Sequence, residues 1–219
     1  MSPEGTDFLY PFIEGDETDS SALLVDLSGS AVTKVSDRAR LAAEMLSRWS
    51  DETRRLAAEM AVRVRGGGRV YTFGNGGSAT DAASLASLLE RPPHGRSVAA
   101  RSLVADQAVV TAIGNDVGFD LVFARQLIAF AQPSDVAIGY STSGNSNNVI
   151  AALTEAKRRG LLTVGFAGYD GGRMGACGAL DFCFVVACDS VHRIQESQAA
   201  LSVALWSALQ AELAQAPPW

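Results

Sequence analysis

The stretch DVAIGYSTSGNS, residues 135–146, decides the fold. Its first half, Asp135–Tyr140, is a short apolar run, and such a run followed by a turn predicts a buried β-strand. Its second half, Ser141–Ser146, carries four hydroxyl side chains among six residues and leads into a helical pattern over residues 146–159. A strand that passes through a Gly/Ser turn into a helix is the repeating unit of a parallel α/β sheet.

The same unit recurs on both sides of this stretch. Short β-branched or aromatic runs end in turns and are followed by helical patterns, which predicts an α/β fold with a parallel sheet covered by helices on both faces. The other predicted strands are Arg69–Phe73, Ser97–Leu103, Leu162–Phe166 and Phe182–Val186. The helices predicted beside them are residues 77–90, 106–113, 119–130 and 192–214.

The first third of the chain has a different pattern. Residues 1–22 are acidic and aperiodic, and we expect them to form an N-terminal extension. Apolar residues then recur at three- and four-residue intervals as far as Arg65, which predicts two long helices joined near residue 50. We therefore expect one domain over residues 23–219, in which a helical arm (23–66) precedes an α/β core (67–219).

The composition argues against several classes of protein. The formal net charge is −6 and the basic residues are scattered, so we expect no nucleic acid partner, because such binding needs clustered Lys and Arg. The N-terminus lacks the pattern of a signal peptide, and no apolar run is long enough for a membrane helix. The three cysteines have no metal-ligand spacing and are expected to be free thiols. We expect a cytoplasmic protein without membrane contact.

Two of the predicted turns suit an anion. In Gly74–Ser78, glycines allow a ligand to approach the backbone, and Ser78 either caps the next helix or offers its hydroxyl; taken alone, this turn is equally consistent with a simple connection. In Ser141–Ser146, hydroxyls precede a helix N-terminus, whose free N–H groups and dipole favour phosphate. Helix capping explains one or two of these hydroxyls but not four, and the Lys of a P-loop is missing. The sequence therefore predicts a phosphate site here.

Four segments together resemble one family: Gly74–Ser78, Ala112–Asp116, Ser141–Ser146 and Arg193–Glu196. They are similar in order and spacing to the phosphoheptose isomerase family of SIS (sugar isomerase) domains, which act on sedoheptulose 7-phosphate, over about residues 40–214. The same framework occurs in a non-enzymatic relative that associates with the bacterial replication initiator. The resemblance implies a five-stranded parallel sheet, a three-layer sandwich, a phosphorylated sugar as ligand, and a homotetramer or dimer of dimers with shared sites.

The resemblance also implies roles for individual residues. The serine-rich turn would hold the phosphate, the glycine-rich turn would contact the sugar or phosphate, Asp106 would bond sugar hydroxyls, and Gln195 would lie beside the reaction centre. Asp106 also stands where a helix cap is expected, and both roles are compatible. The implied binding residues are Asn75, Gly76, Gly77, Ser78, Asp106, Ser141, Thr142, Ser143, Ser146 and Gln195.

The sequence departs from these isomerases where they carry out chemistry. The enzymes hold zinc and move protons with His and Glu four residues apart on one helix, and with Gln and His eight residues apart on the last helix. The matching positions here are Ser84, Leu88, Gln195 and Val203, of which Gln195 alone is retained. Leu and Val cannot bind zinc or accept a proton. We therefore expect no zinc cofactor and no standard isomerase mechanism.

Three hypotheses remain open from the sequence. The first is a sugar-phosphate binder that acts as a sensor or scaffold, with a protein partner as one possibility. The second is an isomerase with relocated proton-transfer groups. Its candidate groups are His192 and Glu196, although both also suit the start of a helix, and Asp81 is a further carboxylate within reach. The third is an interaction protein with a vestigial pocket, in which residues 1–22 serve the interaction.

Overall fold

The computed structural model describes residues 20–215, apart from the side chains of residues 20–23 and 26. Most of the expected N-terminal extension lies outside the described residues. The described residues fall into two units, which divide after Arg40. In the first unit the described residues are helical throughout, and they present exposed Leu24, Val25, Val32 and Val35 side chains. The expected domain boundary at residue 23 stays a prediction.

The second unit alternates strands with helices. The first two helices meet at Trp49, as the pattern near residue 50 predicts, and the polar start of the second places Asp51 and Glu52 in its first turn. The helices are α1 (Ser20–Arg48), α2 (Ser50–Arg65), α3 (Gly77–Glu90), α4 (Gln107–Asp116), α5 (Val122–Phe130), α6 (Asn147–Arg158), α7 (Gly172–Ala176) and α8 (Val191–Ala214). The strands are β1 (Val70–Gly74), β2 (Ala100–Ser102), β3 (Val136–Ser141), β4 (Leu162–Gly168) and β5 (Phe182–Val186).

The five strands form one parallel sheet in the order β2-β1-β3-β4-β5. Every residue of β1, β3 and β4 is buried, as is typical of a parallel sheet covered on both faces. The predicted fold class and all five predicted strands are therefore confirmed. Because β1 and β3 are neighbours and their following connections lead to opposite halves of the sheet, a crevice opens beyond their carboxyl ends, where ligands bind in such folds.

Alternating strand residues build a core on each face. On one face, helices α2, α3 and α8 pack over an aromatic row in which Tyr140 pairs in register with Phe166 and Phe166 with Phe184. These rings are stacked, with centroids 4.8 and 5.0 Å apart. On the other face, Tyr71 and Phe73 pack with α5 and α6.

Three elements differ from the sequence expectation. The strand predicted over residues 97–103 is shorter, because Val98 donates its N–H to the Leu89 carbonyl at the end of α3. The helix predicted over 119–130 begins as a 3-10 turn, Phe119–Leu121, after Gly118 at φ +113°. The short helix α7 was not predicted, because its five residues are too few for a periodic pattern.

No helix among residues 20–215 is long and apolar enough to cross a membrane.

Candidate functional site

The two predicted anion turns lie side by side, at the carboxyl ends of neighbouring strands β1 and β3. Their side chains are joined: Asn75 Nδ2 donates to Asn148 Oδ1 over 2.8 Å, and Asn148 Nδ2 donates back to Asn75 Oδ1 over 2.9 Å. Asn148 is buried in the first turn of α6. This reciprocal amide pair fixes the glycine-rich turn against the start of the helix that follows the serine-rich turn.

The serine-rich turn is tight and depends on glycine. Gly144 has φ +63°, a region that favours glycine, and its N–H bonds the Ser141 carbonyl over 3.0 Å. A Cβ on Gly144 would lie 2.1 Å from the Gly171 carbonyl oxygen, so any larger residue would push the turn away from the loop after β4.

The hydroxyls of this turn are not used as side-chain caps of α6. Ser146 occupies the N-cap position without a side-chain cap bond, and its Oγ instead lies 3.0 Å from Ser141 Oγ. Ser143 Oγ accepts the N–H of Asn145, a bond of 3.2 Å that stays within the turn. Capping was the main alternative to ligand binding, and this geometry gives it little support. The first N–H groups of α6 and the adjacent hydroxyls together suit a phosphate.

A cation that the sequence analysis missed lies beside this turn. The Arg173 guanidinium donates to the Asn145 carbonyl over 2.8 Å and to Asn147 Oδ1, and the Arg173 N–H donates to Asn145 Oδ1 over 3.1 Å. Arg173 belongs to α7, whose Met174 N–H bonds the Gly144 carbonyl. The signal in the sequence is an Arg directly after Gly171-Gly172, at the carboxyl end of β4. A positive charge here favours an anion on the turn.

Gln195 reaches the glycine-rich turn from the last helix. A Cβ on Gly77 would lie 2.0 Å from Gln195 Nε2, so α8 and the start of α3 approach as closely as glycine permits. Gly76, at φ +55°, is the N-cap residue of α3, so this helix begins without a side-chain cap. Ser78 is buried inside α3, and the cap role considered for it is therefore wrong.

The remaining predicted residues lie nearer the surface. Asp106 caps α4 by accepting the Val109 N–H over 3.1 Å, and its expected cap role is confirmed. It is exposed beyond the carboxyl end of the edge strand β2. His192 is exposed in the first turn of α8, and Glu196 is half-buried one turn later. The other histidine, His94, lies in the loop after α3, and its ring centroid is 4.9 Å from that of Trp206 on α8.

Three of the four positions that the resemblance assigns to the zinc and proton-transfer groups of the isomerases lie together, and the fourth, Gln195, is not among the residues that line their cavity. Ser84, Leu88 and Val203 line one cavity of about 110 Å³ between α3 and α8. The chemistry of these side chains does not fit a zinc ion, which takes His, Cys or carboxylate ligands. Among residues 20–215 there is no cluster of three or more His, Cys, Asp and Glu side chains that suits a metal. The cavity is completed by Asp81, Leu85, Ala199 and Ser202.

Asp81 is the acidic group of this cavity. Burial raises the pKa of its carboxyl group to about 6, since the charged form loses contact with water. Its Oδ2 is buried and has no hydrogen-bond partner. Close by, Tyr140 and Ser202 share a hydrogen bond of 2.7 Å, and burial raises the pKa of the Tyr140 hydroxyl.

Comparison with known proteins agrees with this geometry. The SIS domain family matches residues 35–168, which include both turns and all of α3. This chain belongs to the SIS domain family. The phosphoheptose isomerase of Solidesulfovibrio magneticus is 47% identical to this SIS domain over 151 residues, which cover 66% of this chain and 71% of that protein.

A longer match covers most of the chain. The phosphoheptose isomerase of Leptospira biflexa is 36% identical over 185 residues, which cover 83% of this SIS domain protein and 94% of the relative. The structure of phosphoheptose isomerase GmhA from Neisseria gonorrhoeae superimposes with a TM-score of 0.78 at 33% identity, over 84% of this chain and 99% of that one. The SIS domain therefore shares both sequence and fold with phosphoheptose isomerases, although it lacks the side chains expected of their metal site.

Proposed function

We propose that this SIS domain binds a phosphorylated sugar and does not carry out zinc-dependent isomerisation. The observation that carries the proposal is the serine-rich turn, where hydroxyls stand at the start of α6 without serving as its side-chain caps. In this proposal Ser141, Thr142, Ser143 and Ser146 bind the phosphate together with the N–H groups of α6. The kinship with phosphoheptose isomerases supports a phosphosugar as the ligand.

Local charge favours this placement. The chain carries a net charge of −6, which repels anions in general. At the serine-rich turn, the positive end of the α6 dipole and the Arg173 guanidinium both act in the opposite direction. An anion is thus drawn to this turn rather than to the surface as a whole.

The sugar would extend from the phosphate toward the glycine-rich turn. Asn75 is held there by Asn148, and Gln195 packs on Gly77, so two amide side chains stand beside the phosphate position. Amides both donate and accept hydrogen bonds, as sugar hydroxyls require. Asp106 in this proposal contacts sugar hydroxyls while it caps α4.

Isomerisation needs a group that removes a proton from carbon and a group that polarises the carbonyl. The resemblance places these groups and a zinc ion at four positions, of which three are Ser84, Leu88 and Val203 here and only Gln195 is retained. The proposed function therefore includes no metal. The protein then acts by binding, as a sensor of the sugar phosphate or as a scaffold for a protein partner. We further propose that it is a cytoplasmic homotetramer, as its kinship implies.

Thermal unfolding with sedoheptulose 7-phosphate tests the binding proposal. A ligand at one hundred times its dissociation constant stabilises the folded state by about 2.7 kcal/mol, which raises the melting temperature measurably. We expect this rise in the wild type and its loss in the double variant Ser141→Ala, Ser143→Ala. Thr154→Ala is the matched control, because its hydroxyl bonds only the Ile150 carbonyl of the same helix and is exposed. An undiminished rise in the double variant would contradict the placement of the phosphate.

A second candidate function is an active aldose–ketose phosphate isomerase with relocated proton-transfer groups. The retained Asn75, Asp106 and Gln195 and the identity to phosphoheptose isomerases favour it. Its candidate groups are His192 and Glu196 in the first turns of α8. Incubation with sedoheptulose 7-phosphate followed by product analysis distinguishes the candidates, since the binding proposal expects no conversion.

A further inference from the structure

A cavity of about 450 Å³ lies at the amino end of the sheet, where β1 and β2 begin. Its lining includes Arg69, Tyr71, Arg101 and Phe130. The serine-rich and glycine-rich turns lie at the other end of the strands, and β1 alone rises roughly 13 Å between its first and last residues. The cavity is therefore separate from the proposed sugar-phosphate site.

Two guanidinium groups of this cavity lie near one tyrosine hydroxyl. Tyr71 is the register partner of Arg101, and Arg69 precedes Tyr71 by two residues, so the three side chains share one face of the sheet. Burial raises the pKa of the Tyr71 hydroxyl, and the Asp135 carboxylate adds to the rise. The positive charges of Arg69 and Arg101 act in the opposite direction, which shows that both guanidinium groups lie close to this hydroxyl.

No carboxylate neutralises these two charges. Asp135 accepts the backbone N–H groups of Arg69 and Gln132, each over 2.7 Å, so its oxygens are directed to the main chain. Within residues 20–215, no ion pair joins a carboxylate to the side chain of Arg69 or Arg101. Two neighbouring positive charges repel each other, and an anion placed between them would reverse this cost.

The Arg101 side chain is held in place before any ligand arrives. Its guanidinium lies over the Phe130 ring, 4.4 Å from the centroid, a favourable contact between a cation and an aromatic face. The edge of a guanidinium is the part that binds the paired oxygens of a carboxylate or phosphate. The Tyr71 hydroxyl donates its hydrogen to the Phe130 carbonyl over 3.2 Å, so toward the arginines its oxygen can only accept.

The size and charge of the cavity indicate the class of ligand. Ala99, Ala100 and Ala129 line it with methyl groups, and its volume lies within the roughly 300–1,000 Å³ of small-molecule pockets. Two guanidinium groups match a dianion, such as a phosphate monoester, whose charge near pH 7 is about −1.5 to −2, or a dicarboxylate. Glu90 also lines the cavity and suits a hydroxyl or amino group on the same molecule.

We propose that Arg69 and Arg101 bind a small organic dianion, a phosphate monoester or a dicarboxylate, in the cavity at the amino end of the sheet. This site does not depend on the proposed function, because it shares no residue with the serine-rich or glycine-rich turn. In a chain with a net charge of −6, these unpaired guanidinium groups form a local exception that attracts anions.

Modification of the full chain with phenylglyoxal, followed by mass spectrometry of each arginine, tests the proposal. The probes are glycerol 3-phosphate, succinate and the monoanion acetate. We expect at least one dianion to slow the modification of both Arg69 and Arg101 about fivefold or more, because a paired guanidinium is shielded from the reagent, and acetate to have little effect. Arg55 is the control within the same protein, since its guanidinium also lies over an aromatic ring, that of Phe182, but outside this cavity.

Substitutions then assign the protection to the two arginines together. We expect Arg101→Gln to weaken binding of the protecting dianion about tenfold or more in calorimetric titration, and to remove the protection of Arg69, since charge-assisted hydrogen bonds are lost. Arg101→Lys keeps the charge without the planar fork and should bind with intermediate affinity, which guards against a misfolded first variant. Arg55→Gln is the matched control and should bind like the wild type.

Several results would overturn the proposal. One is the absence of protection by both dianions, the result expected if the two arginines only balance the negative carboxyl end of α5. Another is equal protection by acetate, which would indicate general screening of charge. Protection of Arg173 alone would place the anion at the serine-rich turn, supporting the proposed function while refuting the second site. Protection by one dianion and not the other identifies which of the two chemistries the cavity accepts.

Discussion

At the scale of single residues, the shape of the serine-rich turn depends on Gly144. Its backbone is in the left-handed region at φ +63°, and a Cβ would meet the Gly171 carbonyl oxygen at 2.1 Å. We expect Gly144→Ala to lower the free energy of unfolding by more than about 2 kcal/mol, because strained φ and a backbone clash add. Urea unfolding measures this loss. Gly175→Ala is the matched control, since a Cβ there has no neighbour within 4 Å and alanine suits a helix; equal effects of the two changes would contradict the assignment.

The buried carboxyl group of Asp81 makes the stability of the fold depend on pH, whether or not a ligand is bound. Burial raises the pKa of its carboxyl group from 3.8 in the unfolded chain to about 6 in the folded protein. The folded protein therefore holds this proton more tightly than the unfolded chain does. The resulting stabilisation of the fold is complete below pH 4 and is lost as pH rises through 6. Asp81→Asn removes the cost of ionisation. We expect the variant to be more stable than the wild type above pH 6 by about 1 kcal/mol, after allowance for solvent screening of a half-buried group, and equal to it near pH 4.

Urea unfolding of both proteins between pH 4 and 8 measures this difference. Asp51→Asn is the control for the loss of a carboxylate, because Asp51 is exposed and paired with Arg54 on the surface of α2. A constant difference between Asp81→Asn and wild type across the range would show that the carboxyl group titrates normally.

At the scale of elements, two substitutions at the start of helix α4 separate the cap role of Asp106 from its proposed role in sugar binding. The carboxylate accepts the Val109 N–H as an N-cap, and in the proposed function it also contacts the sugar. We expect Asp106→Ala to destabilise the fold by about 1 kcal/mol and to weaken sugar-phosphate binding. Asp106→Asn should restore stability, since Asn caps as well as Asp, but not the affinity. Unfolding curves and titrations of both variants measure the two effects, and full affinity in Asp106→Asn would leave Asp106 as a cap alone.

The elements also show what the sequence could predict. The limits of α3, residues 77–90, agree with the prediction, because a glycine-rich turn precedes the helix and Pro92 and Pro93 follow it. Helix α7 was missed because tertiary contacts stabilise it, notably the bond from Met174 N–H to the Gly144 carbonyl. The Asn75–Asn148 pair and the position of Arg173 were missed for a related reason: both depend on which strands are neighbours, and strand order is not written in the local pattern.

At the scale of the whole molecule, the SIS fold brings the two predicted anion turns to one edge of the sheet. The crevice between β1 and β3 brings the serine-rich turn to the glycine-rich turn, and α8 closes over the start of α3 through Gln195. The proposed anion site depends largely on backbone and hydroxyl groups of the turns, whereas a metal site at the matching positions would depend on individual side chains of α3 and α8. In the proposed function, binding is therefore retained without the side chains that metal chemistry would need.

This separation predicts that the metal site can be rebuilt without changing the fold. Ser84, Leu88 and Val203 line one cavity, and His and Glu at positions 84 and 88 would lie four residues apart on one helix face. We expect the triple variant Ser84→His, Leu88→Glu, Val203→His, with the native Gln195, to retain about one zinc ion per chain after dialysis, measured by elemental analysis, and the wild type to retain none. Ser84→His alone is the control, because one imidazole and one amide bind zinc weakly. A folded triple variant without zinc would show that the arrangement of α3 and α8, and not the identity of three side chains, keeps this protein from binding zinc.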